Sequence, residues 1–244
     1  MGKPQHGWIE IGKNKLSRGD FLYKLANSKA ALNEITLVPG ETIDVFLYLI
    51  SKKYNLSYTK LMKYYKNLSP LRDGLIIPET YHIPMGIGEK HLVVYLLNYA
   101  YKNHKKMSMK IFRTYNPKSW YRYLIVASII QKEAANKEEM PIISSVIYNR
   151  LKKGMKLQMD GTLNYGKYSH IRVTPKRIKE DSSRYNTYKY KGLPPNPVCS
   201  VSKEAIIAAI FPKKTNYLYF VKGKNGKHLF SSSYKKHMKN IKRN

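Results

Sequence analysis

Tyr123-Leu124-Ile125-Val126-Ala127-Ser128-Ile129-Ile130-Gln131-Lys132-Glu133 is an apolar run that ends on a carboxylate. Ile125, Ile129 and Glu133 stand four residues apart, so a helix over this run puts all three on one face. A carboxyl group held against apolar side chains loses hydration that its ionised form needs more than its neutral form does. Its pKa then rises toward neutrality, which is how a general acid is made. The same spacing also fits a glutamate that only marks where the helix leaves the core and meets water. Spacing alone leaves both readings open.

Outward from that helix, Asn116-Pro117 marks its start, and Glu89 to Lys102 reads as another helix before it. On the other side, Pro141 suits a helix first turn, and Ile142, Ile143, Val146, Ile147 and Leu151 repeat at helical spacing until Gly154. Further upstream, Ile35 to Thr42 reads as a short strand and turn, Ile43 to Lys52 as a periodic segment, and Ser57 to Tyr65 as an amphipathic helix packing on a small sheet. Asn67 to Gly88 carries Pro70, Gly74, Pro78, Pro84, Gly86 and Gly88, which break regular structure and suggest a domain junction. Met155 to Pro197 is rich in Gly, Pro, Asn, Ser and Tyr and too long for an ordinary connection, so it reads as a functional surface. Tyr217 to Val221 reads as a strand, Lys222 to Lys227 as a turn, and His228-Leu229-Phe230 as the returning strand.

The chain has 244 residues, 43% of them hydrophobic, which is a globular composition with room for a sizeable core. Its net charge of +30, from 45 basic and 15 acidic residues, implies an anionic partner: nucleic acid, a phospholipid surface or an acidic wall polymer. Lysine predominates over arginine beside many Tyr, Asn and Ile residues, a bias that codon composition alone can produce. Cys199 is the one cysteine, so no internal disulfide forms, and this fits either side of a membrane. Seven scattered histidines and one cysteine give no metal-site spacing. Gly86-Ile87-Gly88 lacks the strand, spacing and lysine of a phosphate cradle, so no cofactor is expected. No apolar stretch reaches the roughly 18 residues that span a bilayer. Met1-Gly2-Lys3-Pro4 has no signal-peptide character, and a membrane anchor or export signal is expected to be missing from this sequence.

Several local patterns occur in one order, and together they resemble the YceG-like endolytic murein transglycosylases of the MltG family across most of the chain. The family's catalytic stretch, A-S-I-[IV]-x-K-E, stands as Ala127 to Glu133, and its V-[FI]-x-N-R-L helix as Val146-Ile147-Tyr148-Asn149-Arg150-Leu151. A glycine-methionine turn and L-Q-x-D follow as Gly154 to Asp160, then Tyr185-Asn186-Thr187-Tyr188 leading into Gly192-Leu193-Pro194-Pro195. The closing Y-[LF]-Y-F-V and H-x-F pieces are Tyr217 to Val221 and His228-Leu229-Phe230. Less specifically, Ile35 to Tyr65 resembles the family's LysM-like region and Gly74 to Tyr81 its junction. Two departures concern the cleft loops: the family's aspartate-proline after L-Q is Asp160-Gly161 here, and its asparagine-proline-glycine turn is replaced around Val198-Cys199-Ser200.

The resemblance implies an α+β fold: a small N-terminal LysM-like unit (about 35–66, within 1–85 and followed by the Pro/Gly-rich junction), then a mixed α/β catalytic domain over 86–244. It implies endolytic, non-hydrolytic cleavage of the MurNAc-β-1,4-GlcNAc bond of peptidoglycan, leaving 1,6-anhydro ends on nascent strands. An ordinary glycosidase needs two carboxyls. A lytic transglycosylase needs one, because the muramyl C6 hydroxyl is the nucleophile, and both proton transfers fall to Glu133. Gln158 and Asp160 are expected to bind sugar groups or to form a purely structural turn. Asp160, if close to Glu133, also makes hydrolysis chemically possible. Tyr185, Asn186 and Tyr188 are expected as stacking faces and amide donors, or as an ordinary packed loop. His228 is expected to be a satisfied hydrogen-bonding group with no direct chemistry. The implied setting is the bacterial inner membrane, held by an N-terminal anchor absent from this chain, with the catalytic part facing the periplasm or cell exterior beside penicillin-binding proteins. Two readings of other classes remain: a basic nucleic-acid-binding module, suggested by +30 charge and 22 tyrosines, and a non-catalytic wall-binding protein using the LysM-like region alone.

Overall fold

A computed structural model of the chain describes residues 15–27 and 31–243; the opening Met1-Gly2-Lys3-Pro4 lies outside them. The order is α1 (Arg18–Asn27), β1 (Leu32–Thr36), α2 (Ile43–Lys53), α3 (Tyr58–Leu68), β2 (Thr80–Pro84), α4 (Glu89–Phe112), α5 (Pro117–Glu133) and α6 (Met140–Lys152), then α7 (Pro175–Glu180), α8 (Lys203–Ile210), β3 (Tyr219–Lys222), β4 (His228–Ser231) and α9 (Tyr234–Lys242). Helix and strand are mixed, as an α+β reading requires, with helices in the majority. Among the described residues no helix is long and apolar enough to cross a membrane.

Local chemistry sets most boundaries. Thr42, Ser57, Asn116 and Ser202 cap α2, α3, α5 and α8, each side chain accepting a main-chain N–H of the first turn. Pro117 and Pro141 occupy first turns, where the missing N–H is not needed. Gly154, at φ +62°, turns the chain out of α6 in a conformation that side chains disfavour.

The segment read as a junction is more ordered than its prolines suggest. Within it β2 pairs antiparallel with β1, from Leu32 opposite Pro84 to Thr36 opposite Thr80, and the two threonine hydroxyls lie 2.9 Å apart. Proline is tolerated here because it sits at a strand end in a two-stranded sheet. Tyr81 and Ile83 alternate inward and are buried, joining Leu71, Leu75 and Ile76 in the core. The other sheet is the hairpin β3–β4, paired from Tyr219 opposite Ser231 to Lys222 opposite His228.

One apolar cluster runs from Ile35 of β1 to Ala209 of α8. Its centre is α5, whose Trp120, Leu124, Val126, Ala127, Ile129 and Ile130 are all buried. α8 packs along α5 through Ala205, Ala208 and Ala209, and α6 packs beside both through Ile143, Val146 and Ile147. The run from Val126 to Ile130 is therefore continuously buried, and the helix comes out toward the surface again in its last turn, Gln131 to Glu133.

Candidate active site

Glu133 is the last residue of α5. Of its stripe, Ile129 is fully buried, while Ile125 and Glu133 itself are partly exposed. The Glu133 carboxyl is nevertheless packed in by protein, and its pKa is pushed up to about 7, mainly by burial and further by the charge of Asp160. The carbonyl end of a helix also disfavours a negative charge. One contact works the other way: the Gly161 N–H donates to Glu133 Oε1 at 2.7 Å. Among the described residues no donor reaches Oε2, which leaves that oxygen to carry the proton of the neutral form.

Gly161 belongs to a 3-10 turn, Asp160–Leu163, that packs on the end of α5. A Cβ at position 161 would stand 2.5 Å from Lys132 Cβ and 2.9 Å from Glu133 Oε1. Only glycine lets the main chain come close enough to hydrogen-bond the carboxyl. A proline here would have no N–H to donate, so the Asp160-Gly161 pair of this sequence supplies the contact.

The turn is bolted down from two directions. Gln158 stands at φ +51°, a left-handed conformation unusual for a side-chain-bearing residue, and its N–H donates to Thr187 O at 3.2 Å. The Met159 N–H donates to Thr187 Oγ1 at 3.2 Å, and the Thr162 and Thr187 hydroxyls pair at 3.0 Å. Arg150, buried on α6, donates from Nη1 to Leu157 O at 2.7 Å and Lys156 O at 3.1 Å, and from Nε to Leu218 O at 2.6 Å. A longer contact of 3.4 Å runs from Nη1 to Gln158 Oε1. One guanidinium thus joins α6, the turn before Glu133's partner and the approach to β3.

The sequence-predicted residues divide into two groups. Asp160 and Tyr188 stand beside Glu133: the Tyr188 hydroxyl donates to Asp160 Oδ1 at 2.6 Å, and burial together with the Asp160 and Glu133 charges raises the phenol's pKa. Gln158 is exposed on the same turn. Asn186 is fully buried, with both amide hydrogens given to Ile178 O and Asp181 O and its oxygen accepting the Tyr188 N–H. It shapes the loop from within and presents no donor to a ligand. Tyr185 is buried away from the Glu133 carboxyl in a separate small cluster with Val198 and Cys199, stacked on Tyr165 with centroids 4.3 Å apart. His228 donates its N–H to Glu139 Oε1 at 2.8 Å, and its Nδ1 lies 2.7 Å from Oε2.

The sequence motifs include Gly161, Arg150 and Thr187, but nothing in them assigned any of the three a contact. Main-chain hydrogen bonds carry no residue label, so only the glycine itself signalled that the chain runs unusually close to a neighbour there.

The sequence matches the model of the YceG-like family over residues 2–243. An endolytic murein transglycosylase of Bacillus subtilis is 43% identical over 125 residues, which is 51% of this chain and 34% of that protein. One from Streptococcus pneumoniae is 32% identical over 177 residues, 69% of this chain and 31% of that protein. The chain thus spans about a third of the length of these curated relatives. A crystal structure of a YceG-like protein from Listeria monocytogenes superposes with a TM-score of 0.72 at 26% identity, covering 86% of this chain and 75% of that one. With a family match over nearly its whole length and a similarly folded relative, this chain belongs to the YceG-like family.

Proposed function

We propose that this chain is an endolytic lytic transglycosylase that cuts the MurNAc-β-1,4-GlcNAc bond within peptidoglycan strands, with Glu133 as general acid and then general base. The observation that carries it is one carboxyl at the end of a core helix, shifted to about 7 by burial and gripped on a single oxygen by the Gly161 N–H. Near neutral pH such a group is available in both protonation states. In its neutral form it gives its proton to the glycosidic oxygen as the C1–O bond breaks. The resulting carboxylate then takes the proton of the muramyl C6 hydroxyl as that oxygen bonds to C1. The 1,6-anhydro ring closes, the proton returns to Glu133, and no water is consumed.

Asp160 and Tyr188 flank this carboxyl, and we assign them, with Gln158, to the sugar-binding edge of the cleft. We assign wall binding to the LysM-like unit that the resemblance places at about 35–66, which holds α2, most of α3 and the end of β1. The names of the relatives support a peptidoglycan substrate and a cell-wall setting. In that setting the catalytic part faces the outside of the inner membrane, near the penicillin-binding proteins that make the strands.

Mass analysis of products from uncross-linked glycan tests the reading. Anhydro ends, one water lighter than reducing ends, are expected, and Glu133→Gln is expected to lower the rate by at least ~10³-fold. Reducing ends would instead mean hydrolysis, with Asp160 as the second carboxyl. Unchanged cleavage by Glu133→Gln would remove the proposal altogether.

A further inference from the structure

A cavity of about 560 Å³ opens where the start of α2, the end of α3 and the loops carrying Tyr165, Tyr185 and Pro197 meet, and Glu133 does not line it. That volume suits a small ligand or a short peptide. The segment from Gly161, which holds Glu133, to Gly166, which lines the cavity, connects the two places. Five residue steps span at most ~18 Å, so a polymer lying across Glu133 has its side branches within reach of the cavity.

Lining groups with hydrogen-bonding capacity are largely spent on the protein. The Ser69 hydroxyl donates to Leu71 O at 2.7 Å, and the Tyr165 hydroxyl to Asp181 Oδ2 at 3.1 Å. Asp44 Oδ2 accepts the Tyr58 hydroxyl at 3.0 Å. Asp73, 5% exposed, accepts the Ile43 N–H at 3.1 Å and the Gly74 N–H at 2.7 Å, one on each oxygen. What stays open among the described residues is Lys66, Arg72, the aromatic rings and one oxygen of the half-buried Asp44. Lys66 and Arg72 are exposed lining residues, and neither forms an ion pair among the described residues. Arg72 is anchored by its main-chain N–H on Asn196 Oδ1 at 3.1 Å, and its guanidinium acts on the Tyr185 phenol by charge, with no hydrogen bond of its own among the described residues. The stacked Tyr165 and Tyr185 rings line the same cavity.

A sugar needs many convergent donors and acceptors, and this cavity offers few. A carboxylate on a short, partly apolar body finds its match here: two unpaired cations and an aromatic wall. We propose that the cavity binds the acidic stem peptide carried by the muramyl residues, with its carboxylate on Lys66 and Arg72. This deepens the transglycosylase reading and rests on it for the identity of the polymer. The enzyme would then read two features of one strand, the sugar bond at Glu133 and the peptide branch in the cavity.

The test compares uncross-linked strands that keep their stem peptides with the same strands stripped of peptide by an amidase. For a Lys66→Ala/Arg72→Ala variant of the full chain, KM on peptide-bearing strands is expected to rise about tenfold, with kcat within about twofold. On stripped strands its KM is expected to stay within about twofold of the unsubstituted chain's. Thermal melting of both proteins checks that the fold is intact. An equal rise on both substrates, or no rise on either, overturns the proposal. Calorimetric titration of the soluble stem peptide onto the Glu133→Gln protein reads the cavity independently of cleavage. Binding lost on adding the two rim substitutions is expected. A failure of the chain to cut glycan while that binding persists defeats the catalytic reading and leaves the cavity; cleavage with no peptide binding at millimolar concentration defeats the cavity alone.

Discussion

At position 161 one methyl group decides whether Glu133 sits in place. In Gly161→Ala the new carbon meets Lys132 Cβ and Glu133 Oε1 at 2.5 and 2.9 Å, and the carboxyl or the turn must move. A displacement of about 1 Å at a reacting group is enough to lower kcat by roughly 10²-fold. Overpacking of this kind costs about 1–3 kcal/mol. Steady-state kinetics beside a denaturant melt separates the two effects, and a full-rate Gly161→Ala enzyme would remove the glycine's positioning role. Asp160 offers a test with a definite sign. Its negative charge raises the Glu133 pKa, so Asp160→Asn lowers it and depletes the protonated acid at a given pH. The alkaline limb of the pH profile of kcat/KM is expected to move to lower pH, and a limb that stays fixed would show that Asp160 does not act on Glu133 electrostatically. The helical stripe made Glu133 legible in the sequence, because side-chain periodicity is written in residue types. Its partner was not legible, because the partner is a main-chain N–H twenty-eight residues on.

At the scale of elements, the connection from α5 to α6 holds Glu133 in register with the rest of the site, and it is pinned by a pair the sequence did not assign. Glu139 and the His228 side chain are both nearly buried, and the carboxylate takes the His228 N–H and approaches its ring nitrogen while also accepting the Ala135 N–H at 3.4 Å. Burial pushes the Glu139 pKa up, but the hydrogen bonds from His228 outweigh it and hold the group below its ordinary value. This ties the α5–α6 connection to β4. His228→Ala leaves the carboxylate short of a partner and is expected to cost about 2 kcal/mol, with the unfolding midpoint falling by several degrees. His228→Gln, which keeps a donor, is expected to recover part of that loss; equal loss in both variants would point to ring packing instead. α3, α5 and α6 were legible through their apolar spacing, α2 only as a periodic segment, and α4 only as far as Lys102, because its polar last three turns, to Phe112, show little apolar repeat. β2 was hidden because its prolines signal a break, while its pairing with β1 depends on a partner more than forty residues away. α8 was missed although Ser202 is an ordinary cap, since its short alanine-rich face reads as helix only once α5 is there to receive it.

The whole molecule's stability follows from how many titratable groups its single core encloses. Glu133 and Asp73 are raised to about 7, both mainly by burial, and the buried His104 is lowered to about 4 by the same cause. The folded state therefore holds the two acid protons more tightly than the unfolded chain does. Their contribution is full below the unfolded carboxylate range and is lost as pH rises from about 4.5 through 7. His104 works in the opposite direction: the unfolded chain binds its proton better, so its contribution grows as pH rises from about 4 to 6.5. His237, also lowered by burial, works with His104, so the two raised acids and the two lowered histidines oppose each other as pH rises toward neutrality. Glu133→Gln isolates one of the four, because the amide oxygen still accepts the Gly161 N–H while the charge is gone. The variant is expected to be more stable than the parent by on the order of 2 kcal/mol at pH 8, after discounting for the partial exposure of the side chain, and nearly equal to it at pH 5. Denaturant unfolding at the two pH values checks this, at constant ionic strength because a chain of net charge +30 repels itself. A variant that loses activity yet gains stability only at the higher pH would show that the fold holds this carboxyl against its own preference, as an acid working near neutrality requires.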